Sequence, residues 1–410
     1  MSTTPVVHVS SIPFSRPTQI ESEPIPLSAP DVSEEDCERV QAVLRGRTLS
    51  LGPLLPAFEA ALASAAGTRF AVAVNSGTSA LHLCVKASGI GAGDEVITSP
   101  FSFVASANCL IFENAIPHFV DIDPVTYNID PALTAAAVNR QTRGILPVHV
   151  FGHPCDMPAI GSVAKHHGLA VIEDSCEAIG AAIDGKRAGG FGQSGAFAFY
   201  PNKQITTGEG GAIVTDDESV AKLCRSWRNQ GRGEDGAWLS HERLGYNYRL
   251  SDINCALGLG QVSRLRQILA MRSKVAAMYG EALADIPELV LPAEPAPGVE
   301  MSWFVYVVRL RDEFGREERD SILASLRNAG IGCNNYFSPI HLQPFYRERF
   351  GFRPGQFPIT EHVSERTIAL PFFNLLTIDQ VEAVSVSLRR AIRILPRRLY
   401  ASAQSTLANE

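Results

Sequence analysis

Four short segments of the chain carry residue types that could do chemistry together. Asn75-Ser76-Gly77-Thr78-Ser79-Ala80-Leu81 follows an apolar run and opens a helical pattern. Amides exposed at a helix N-terminus, a glycine that lets backbone come close and neighbouring hydroxyls make a cradle for a phosphate. Val171-Ile172-Glu173-Asp174 reads as a buried strand ending in carboxylates, of which Asp174 is the candidate for chemistry. In Phe197-Ala198-Phe199-Tyr200-Pro201-Asn202-Lys203, ahead of Gly208-Glu209-Gly210-Gly211, a lysine follows directly on a strand. Proline fixes the chain there, so the amine is presented at the sheet edge. Leu244-Gly245-Tyr246-Asn247-Tyr248-Arg249-Leu250-Ser251-Asp252 is dense in hydrogen-bonding side chains, as loops that line sites often are.

Each segment alone has a plainer reading. The first is also an ordinary N-cap. The second serves equally as a helix cap or as a metal or ribose ligand, and the third is an ordinary solvated cation. The order of the segments says more. A carboxylate at a strand end can hold the protonated pyridine nitrogen of pyridoxal phosphate, the charge that makes that ring an electron sink. The 29 residues from Asp174 to Lys203 leave room for one loop and the strand that returns the lysine to the same edge.

The elements that must position these groups are legible as periodicity. Short apolar runs at 70–74, 95–98, 118–121, 144–150, 169–173 and 195–199 alternate with helical stretches, the pattern of βαβ units in a mostly parallel sheet. Ligands in such open sheets sit outside the carboxyl ends of the strands. Over 254–283, Leu259, Val262, Leu265 and Leu269 keep helical spacing with no proline, which predicts one connecting helix. Beyond it come a strand over 304–310, a helix over 316–329 stopped by Gly330, and a final helix opened by a Thr377-x-x-Gln380 capping box. The expected organisation is an N-terminal arm (1–27), a large α/β domain (28–255), a connecting helix (256–283), a smaller C-terminal α/β domain (284–397) and a tail (398–410).

Composition excludes other classes. A chain of 410 residues, 45% hydrophobic and 19% charged, has the make-up of a globular protein with a real core. Its net charge of −7 argues against a nucleic-acid partner. The first 30 residues lack the basic and apolar regions of a signal peptide, and no stretch nears about 18 apolar residues, so no membrane contact and a cytoplasmic location are expected. Eight scattered cysteines form no C-x-x-C pair and no Cys/His cluster, so they read as small buried hydrophobes and support neither a disulfide framework nor a metal site.

Taken in order, these segments resemble the DegT family of sugar aminotransferases, fold-type I pyridoxal-phosphate enzymes. The resemblance spans about residues 25–395. It is carried by Leu51-Gly52-Pro53, Phe58-Glu59, Ser76-Gly77-Thr78, Gly93-Asp94-Glu95-Val96-Ile97, Glu173-Asp174, the glycines of 189–192, Lys203, Gly208 to Gly211, Gly245-Tyr246-Asn247-Tyr248-Arg249 and Ile340-His341. It implies that Lys203 forms the Schiff base with the cofactor and that Asp174 pairs with its ring nitrogen. It further implies that Ser76, Gly77 and Thr78 hold the phosphate, that Phe103 stacks on the ring, and that Asn247 reaches the phosphate in the neighbouring subunit of a homodimer with shared sites.

Two positions depart from the family pattern. Many relatives have a serine phosphate ligand where this chain has Ala198, leaving water or Ser79 to supply the contact. Relatives often have glutamine where this chain has Glu177, which would face the ring's phenolic oxygen and must be protonated or point elsewhere.

The implied reaction is a ping-pong transamination from L-glutamate or glutamine to a nucleotide-linked 3- or 4-keto hexose, with Arg249, Asn335, Tyr336 and His341 as sugar or diphosphate contacts. Two competitors share the scaffold. A pyridoxamine-phosphate sugar dehydratase would carry histidine in place of Lys203, and a non-catalytic binding protein would have no need of Lys203 and Asp174 together. A nicotinamide-binding sheet is excluded, because no G-x-G-x-x-G follows the first strand.

Overall fold

A computed structural model describes residues 23–233 and 240–395 of the chain. Most of the N-terminal arm and the whole expected tail lie outside the described residues. The core of the larger unit is a seven-stranded sheet. Its order is Phe70–Val74, Gly211–Thr215, Ser194–Ala198, Ala170–Asp174, Thr142–Leu146, Glu95–Thr98, Ile116–Phe119. The five strands from Ser194–Ala198 to Ile116–Phe119 pair in parallel, while Gly211–Thr215 is antiparallel to both of its neighbours. The inner strands are buried almost throughout, as a sheet covered by helices on both faces requires.

All six expected strands are present, with ends displaced by a few residues. The run at 118–121 is the strand Ile116–Phe119, and that at 144–150 is Thr142–Leu146 followed by a 3₁₀ turn at Val150–Gly152. Gly211–Thr215 is not among the expected runs. Its first residue has to be glycine: a Cβ on Gly211 would lie 2.4 Å from the Ser76 carbonyl oxygen.

The expected connecting helix is two helices, Asp252–Ser263 and Leu265–Leu283, which meet at Arg264 (φ −99°, ψ 5°). The Arg264 guanidinium is held there by the Asp31 carbonyl at 3.0 Å and the Asp36 carboxylate at 2.9 Å. Apolar spacing runs unbroken across the bend, so periodicity alone does not register it. The second helix packs into two separate apolar cores. Leu265 and Ile268 pack in the core beside Phe58 and Phe199, whereas Val275, Tyr279 and Leu283 pack in the core of the smaller unit.

That unit is an antiparallel sheet of Leu289–Val290, Tyr306–Leu310 and Thr367–Leu370, backed by helices Arg316–Asn328 and Ile378–Arg393. The expected capping box is formed: Gln380 N donates to Thr377 Oγ1 at 3.2 Å, and Thr377 N donates to Gln380 Oε1 at 3.0 Å. At the described end of the arm, Ile25 bridges to Ile331 of this domain. Arg272 ties the domains together, donating to the carbonyls of Trp303 and Phe304, each at 2.6 Å, and to Asn374 at 3.0 Å.

The edge strand Phe70–Val74 is clamped by a buried charge pair. Glu59 accepts from the Ala73 amide at 3.0 Å and from the guanidinium of Arg228, which also donates to the Ala73 carbonyl at 2.6 Å. Removing Arg228 leaves the buried Glu59 carboxylate to the Ala73 amide and the more distant Arg225 guanidinium at 3.7 Å. Arg228→Met is therefore expected to destabilise the protein by about 3 kcal/mol in urea unfolding. The double variant Arg228→Met/Glu59→Leu should recover part of that loss.

Candidate active site

A cavity of about 990 Å³ opens at the carboxyl ends of the parallel strands. The sheet contributes Asp174 and Ala198, the helix Gly77–Ala87 its first turn, and the turn after Ser194–Ala198 contributes Tyr200, Asn202 and Lys203. The smaller domain closes the other side with Phe304, 335–338 and 343–346. Ser76, Gly77, Thr78, Phe103, Asp174, Glu177, Lys203, Asn335 and Tyr336 thus meet in one place, as expected.

Alternation along the strand sends the two carboxylates at its end to different work. Glu173 is fully buried and accepts from the backbone amides of Gly189 (2.8 Å), Phe191 (2.6 Å) and Gly192 (2.6 Å), with His149 Nε2 at 3.1 Å. It secures the loop at 189–192. Asp174 faces the cavity, accepting from the Cys176 amide at 3.1 Å and from the Ser106 hydroxyl at 2.6 Å. Ser106 in turn lies 2.6 Å from Ser102 Oγ. The sequence reading missed this serine pair, which brings Ser102, before the helix Ala105–Phe112, onto Ser106 within it.

Lys203 reaches the cavity from a turn that its own amide closes on the Tyr200 carbonyl at 2.9 Å. Its Nζ lies 3.4 Å from Glu177 Oε1 and 3.9 Å from the centroid of the Phe304 ring. The other oxygen of Glu177 accepts from the Phe151 amide at 3.0 Å. Burial holds the Glu177 carboxyl above the usual carboxylate range, against the opposing pull of the Lys203 charge. The neighbouring Gln204 side chain donates to the Glu177 carbonyl at 2.6 Å and to Ser302 Oγ at 2.9 Å, which locks the lysine turn to the segment carrying Phe304.

At the expected phosphate cradle the N-cap is formed and the first amides of the helix stay unengaged. Ser76 is the N-cap, accepting from the Ser79 amide at 3.1 Å and donating to Ser79 Oγ at 2.9 Å, so its hydroxyl is already engaged. The amides of Gly77 and Thr78 are left at the start of the helix without intrahelical acceptors. A Cβ on Gly77 would meet that of Ala198 at 2.6 Å, so the helix end rests directly on the strand. Ser79 does not replace the hydroxyl missing at Ala198, because its own donates to Asn75 Oδ1 at 2.7 Å and it does not line the cavity.

Three expected site residues lie elsewhere. His341 is fully buried, with Nε2 3.0 Å from Glu361 and its ring 4.7 Å from that of Phe357; it braces the small domain and does not line the cavity. Arg249 donates to Asn229 Oδ1 at 3.2 Å, and the Asn247 carbonyl meets the Asn75 side chain at 3.5 Å; neither lines this chain's cavity. Their loop is braced from beneath. Tyr248 OH lies 3.1 Å from Nδ1 of the buried His82, whose Nε2 is 2.7 Å from Glu113, and Lys86 pairs with Glu113 at 2.9 Å. Tyr246 and Tyr248 stack at 4.8 Å.

The arrangement fits pyridoxal phosphate on the evidence of one buried charge. Asp174 is only 5% exposed, and among the described residues it has two neutral donors and no cationic partner. A protonated ring nitrogen would supply that cation, with helix amides available for a phosphate and an amine for a carbonyl carbon.

Comparison with known proteins gives the same picture. Residues 30–389 match the model of the DegT/DnrJ/EryC1/StrS aminotransferase family. The chain is 37% identical over 379 residues to the spore coat polysaccharide biosynthesis protein SpsC of Bacillus subtilis, covering 90% of this chain and 97% of that one. It is similar to S. venezuelae DesV, solved in complex with a ketimine intermediate, at 33% identity and a TM-score of 0.84, over 92% of this chain and all of that one. The PLP form of Spr1654 from Streptococcus pneumoniae shares 27% identity and a TM-score of 0.85, over 90% and 99% of the two chains.

The brace under the 245–249 loop has a pH signature. Burial lowers the His82 pKa below its ordinary 6.5, so the unfolded chain takes up a proton on acidification that the folded one resists. Stability should fall as pH drops through about 6.5. Urea midpoints measured on either side of that pH are expected to fall more for the wild type than for His82→Gln.

Proposed function

The chain belongs to the DegT/DnrJ/EryC1/StrS aminotransferase family, and from that premise we propose that it transfers an amino group from L-glutamate or glutamine to a nucleotide-linked 3- or 4-keto hexose. Its cofactor is pyridoxal phosphate, and its product would enter amino-sugar or polysaccharide synthesis. One observation carries the reading above all: the Lys203 amine and the unpaired Asp174 carboxylate face one cavity beside a helix N-terminus.

When bound, the cofactor supplies a cationic ring that can take up the electron pair left when a proton leaves the carbon bearing the nitrogen. The chain's residues do the rest. Asp174, aimed by the Ser106 hydroxyl and the Cys176 amide, would hold the proton on the ring nitrogen. Gly77 and Thr78 bind the phosphate through the first turn of their helix, and Phe103 supplies an aromatic face at the cavity wall. Lys203 Nζ, at the cavity wall, would take the proton from the substrate carbon as general base and return it as general acid. Donor and acceptor use the same cavity in turn, which makes the kinetics ping-pong.

The cavity continues past Asn335 and Tyr336 to Gln343, Phe345 and Tyr346, and this extent supports a substrate larger than an amino acid. The positions of Asn247 and Arg249 outside their own cavity support a homodimer in which each subunit lends them to the other's site.

Borohydride reduction of the protein with pyridoxal phosphate is expected to add the cofactor's mass to the peptide containing Lys203, and Lys203→Ala should show no such adduct. Asp174→Asn should keep the adduct while slowing turnover by on the order of a thousandfold. Asn247→Ala subunits should bind the cofactor weakly, and hybrids with Lys203→Ala subunits should regain one tight, active site per pair. Hybrids no better than their parents would count against shared sites.

A further inference from the structure

The contact between Lys203 and Glu177 belongs to no role assigned so far. Lys203 Nζ is 3.4 Å from Glu177 Oε1, and the two side chains are only 13% and 8% exposed. An ion pair in such a place has surrendered most of the solvation that makes separate charges favourable. Resting on the reading of Lys203 as the nucleophilic amine, we propose that Glu177 is its proton acceptor, converting a buried ion pair into a neutral amine beside a neutral carboxyl.

The step balances within the pair. An Nζ–H bond of Lys203 breaks with its electron pair staying on nitrogen, and an O–H bond forms at Glu177 Oε1. No other reactant enters, and net charge is unchanged. The nitrogen gains the free pair it needs to attack a carbonyl carbon.

The surroundings decide why Glu177 takes the proton and Asp174 does not. Asp174 has both oxygens engaged by donors that favour its anion, the Ser106 hydroxyl and the Cys176 amide. Glu177 Oε1 has only Lys203, while Oε2 stays anchored on the Phe151 amide at 3.0 Å and so keeps the carboxyl in place once it is neutral. The other charged or titratable groups facing Glu177 push the same way. The Asp174 anion disfavours a second negative charge beside it, and the Tyr336 phenol adds no cation. The Cys176 thiol, held protonated by burial, adds none either. Among the described residues, Lys203 is the sole cation in contact. Its ammonium also rests on the Phe304 ring, and after loss of the proton the amine nitrogen stays beside that ring at the cavity wall.

A pair that shares one proton has a distinctive signature. Between its two macroscopic titrations the fraction of neutral amine does not change with pH, because moving the proton within the pair exchanges none with solvent. A lone lysine below its pKa instead gains neutral amine by about tenfold per pH unit. The test uses the full chain freed of cofactor and methyl acetimidate as an amine probe, with labelling of the Lys203 peptide followed by mass spectrometry at several pH values around neutrality.

The wild type is expected to show a rate that changes less than about twofold across about two pH units. Glu177→Gln should climb with pH, and Glu177→Asp should restore the flat profile. A wild-type rate that climbs with pH, or profiles that coincide in wild type and Glu177→Gln, would overturn the proposal. Because the probe needs no cofactor, this outcome is separable from a failure of the chain to bind pyridoxal phosphate.

Discussion

Asp174 brings a carboxylate to the end of a buried strand and, among the described residues, meets no cation there. Two neutral donors, the Ser106 hydroxyl and the Cys176 amide, orient its two oxygens. A cation arriving there would complete its surroundings, and the neighbouring elements converge on that point. The parallel strands bring their carboxyl ends to one edge, the helix after Phe70–Val74 points its amides across the gap, and the turn at 200–203 supplies an amine. The small domain then walls the cavity with the aromatic rings of Phe304, Tyr336, Phe337, Phe345 and Tyr346.

Holding that edge requires more hydrogen bonding than packing. Glu173 spends a fully buried carboxylate on three backbone amides of the 189–192 loop, and Gln204 spends a side-chain amide on the Glu177 carbonyl and Ser302. Arg272, deep between the domains with its pKa lowered by burial to about 9, places the backbone of Trp303 and Phe304 and thereby the ring on which Lys203 rests. These polar groups are committed in advance, so the cavity keeps its shape before any ligand enters.

Much of this was legible in the sequence because it is local. Strands announce themselves by apolar runs with turn residues beyond them, and Lys203, Asp174 and the 75–81 segment sit where those runs stop. What stayed hidden depends on contacts between distant segments. Ser106 matters only because the chain folds it back over Asp174, 68 residues on. The bend at Arg264 is fixed by Asp31 and Asp36, which periodicity within the helix cannot report. His341 sits in a motif of the family, yet its ring faces Glu361 and Phe357, and nothing in a single sequence distinguishes that orientation from one toward the cavity. Asn247 and Arg249 lie outside the site of their own chain, where residue type gives no sign of which cavity they serve.

The back-to-back placement of Glu173 and Asp174 gives the strand a parity. Neighbouring positions there serve opposite faces, one fastening a loop and the other confronting the cavity. A single-residue insertion upstream within Ala170–Asp174 would exchange them, turning a fastener into a reagent and leaving the loop unfastened, although every residue type would still be present. A two-residue insertion would keep the faces and only lengthen the reach. Connections between the strands can drift in length without such consequences, so the invariant this architecture imposes on its descendants is an odd-or-even count along one short strand.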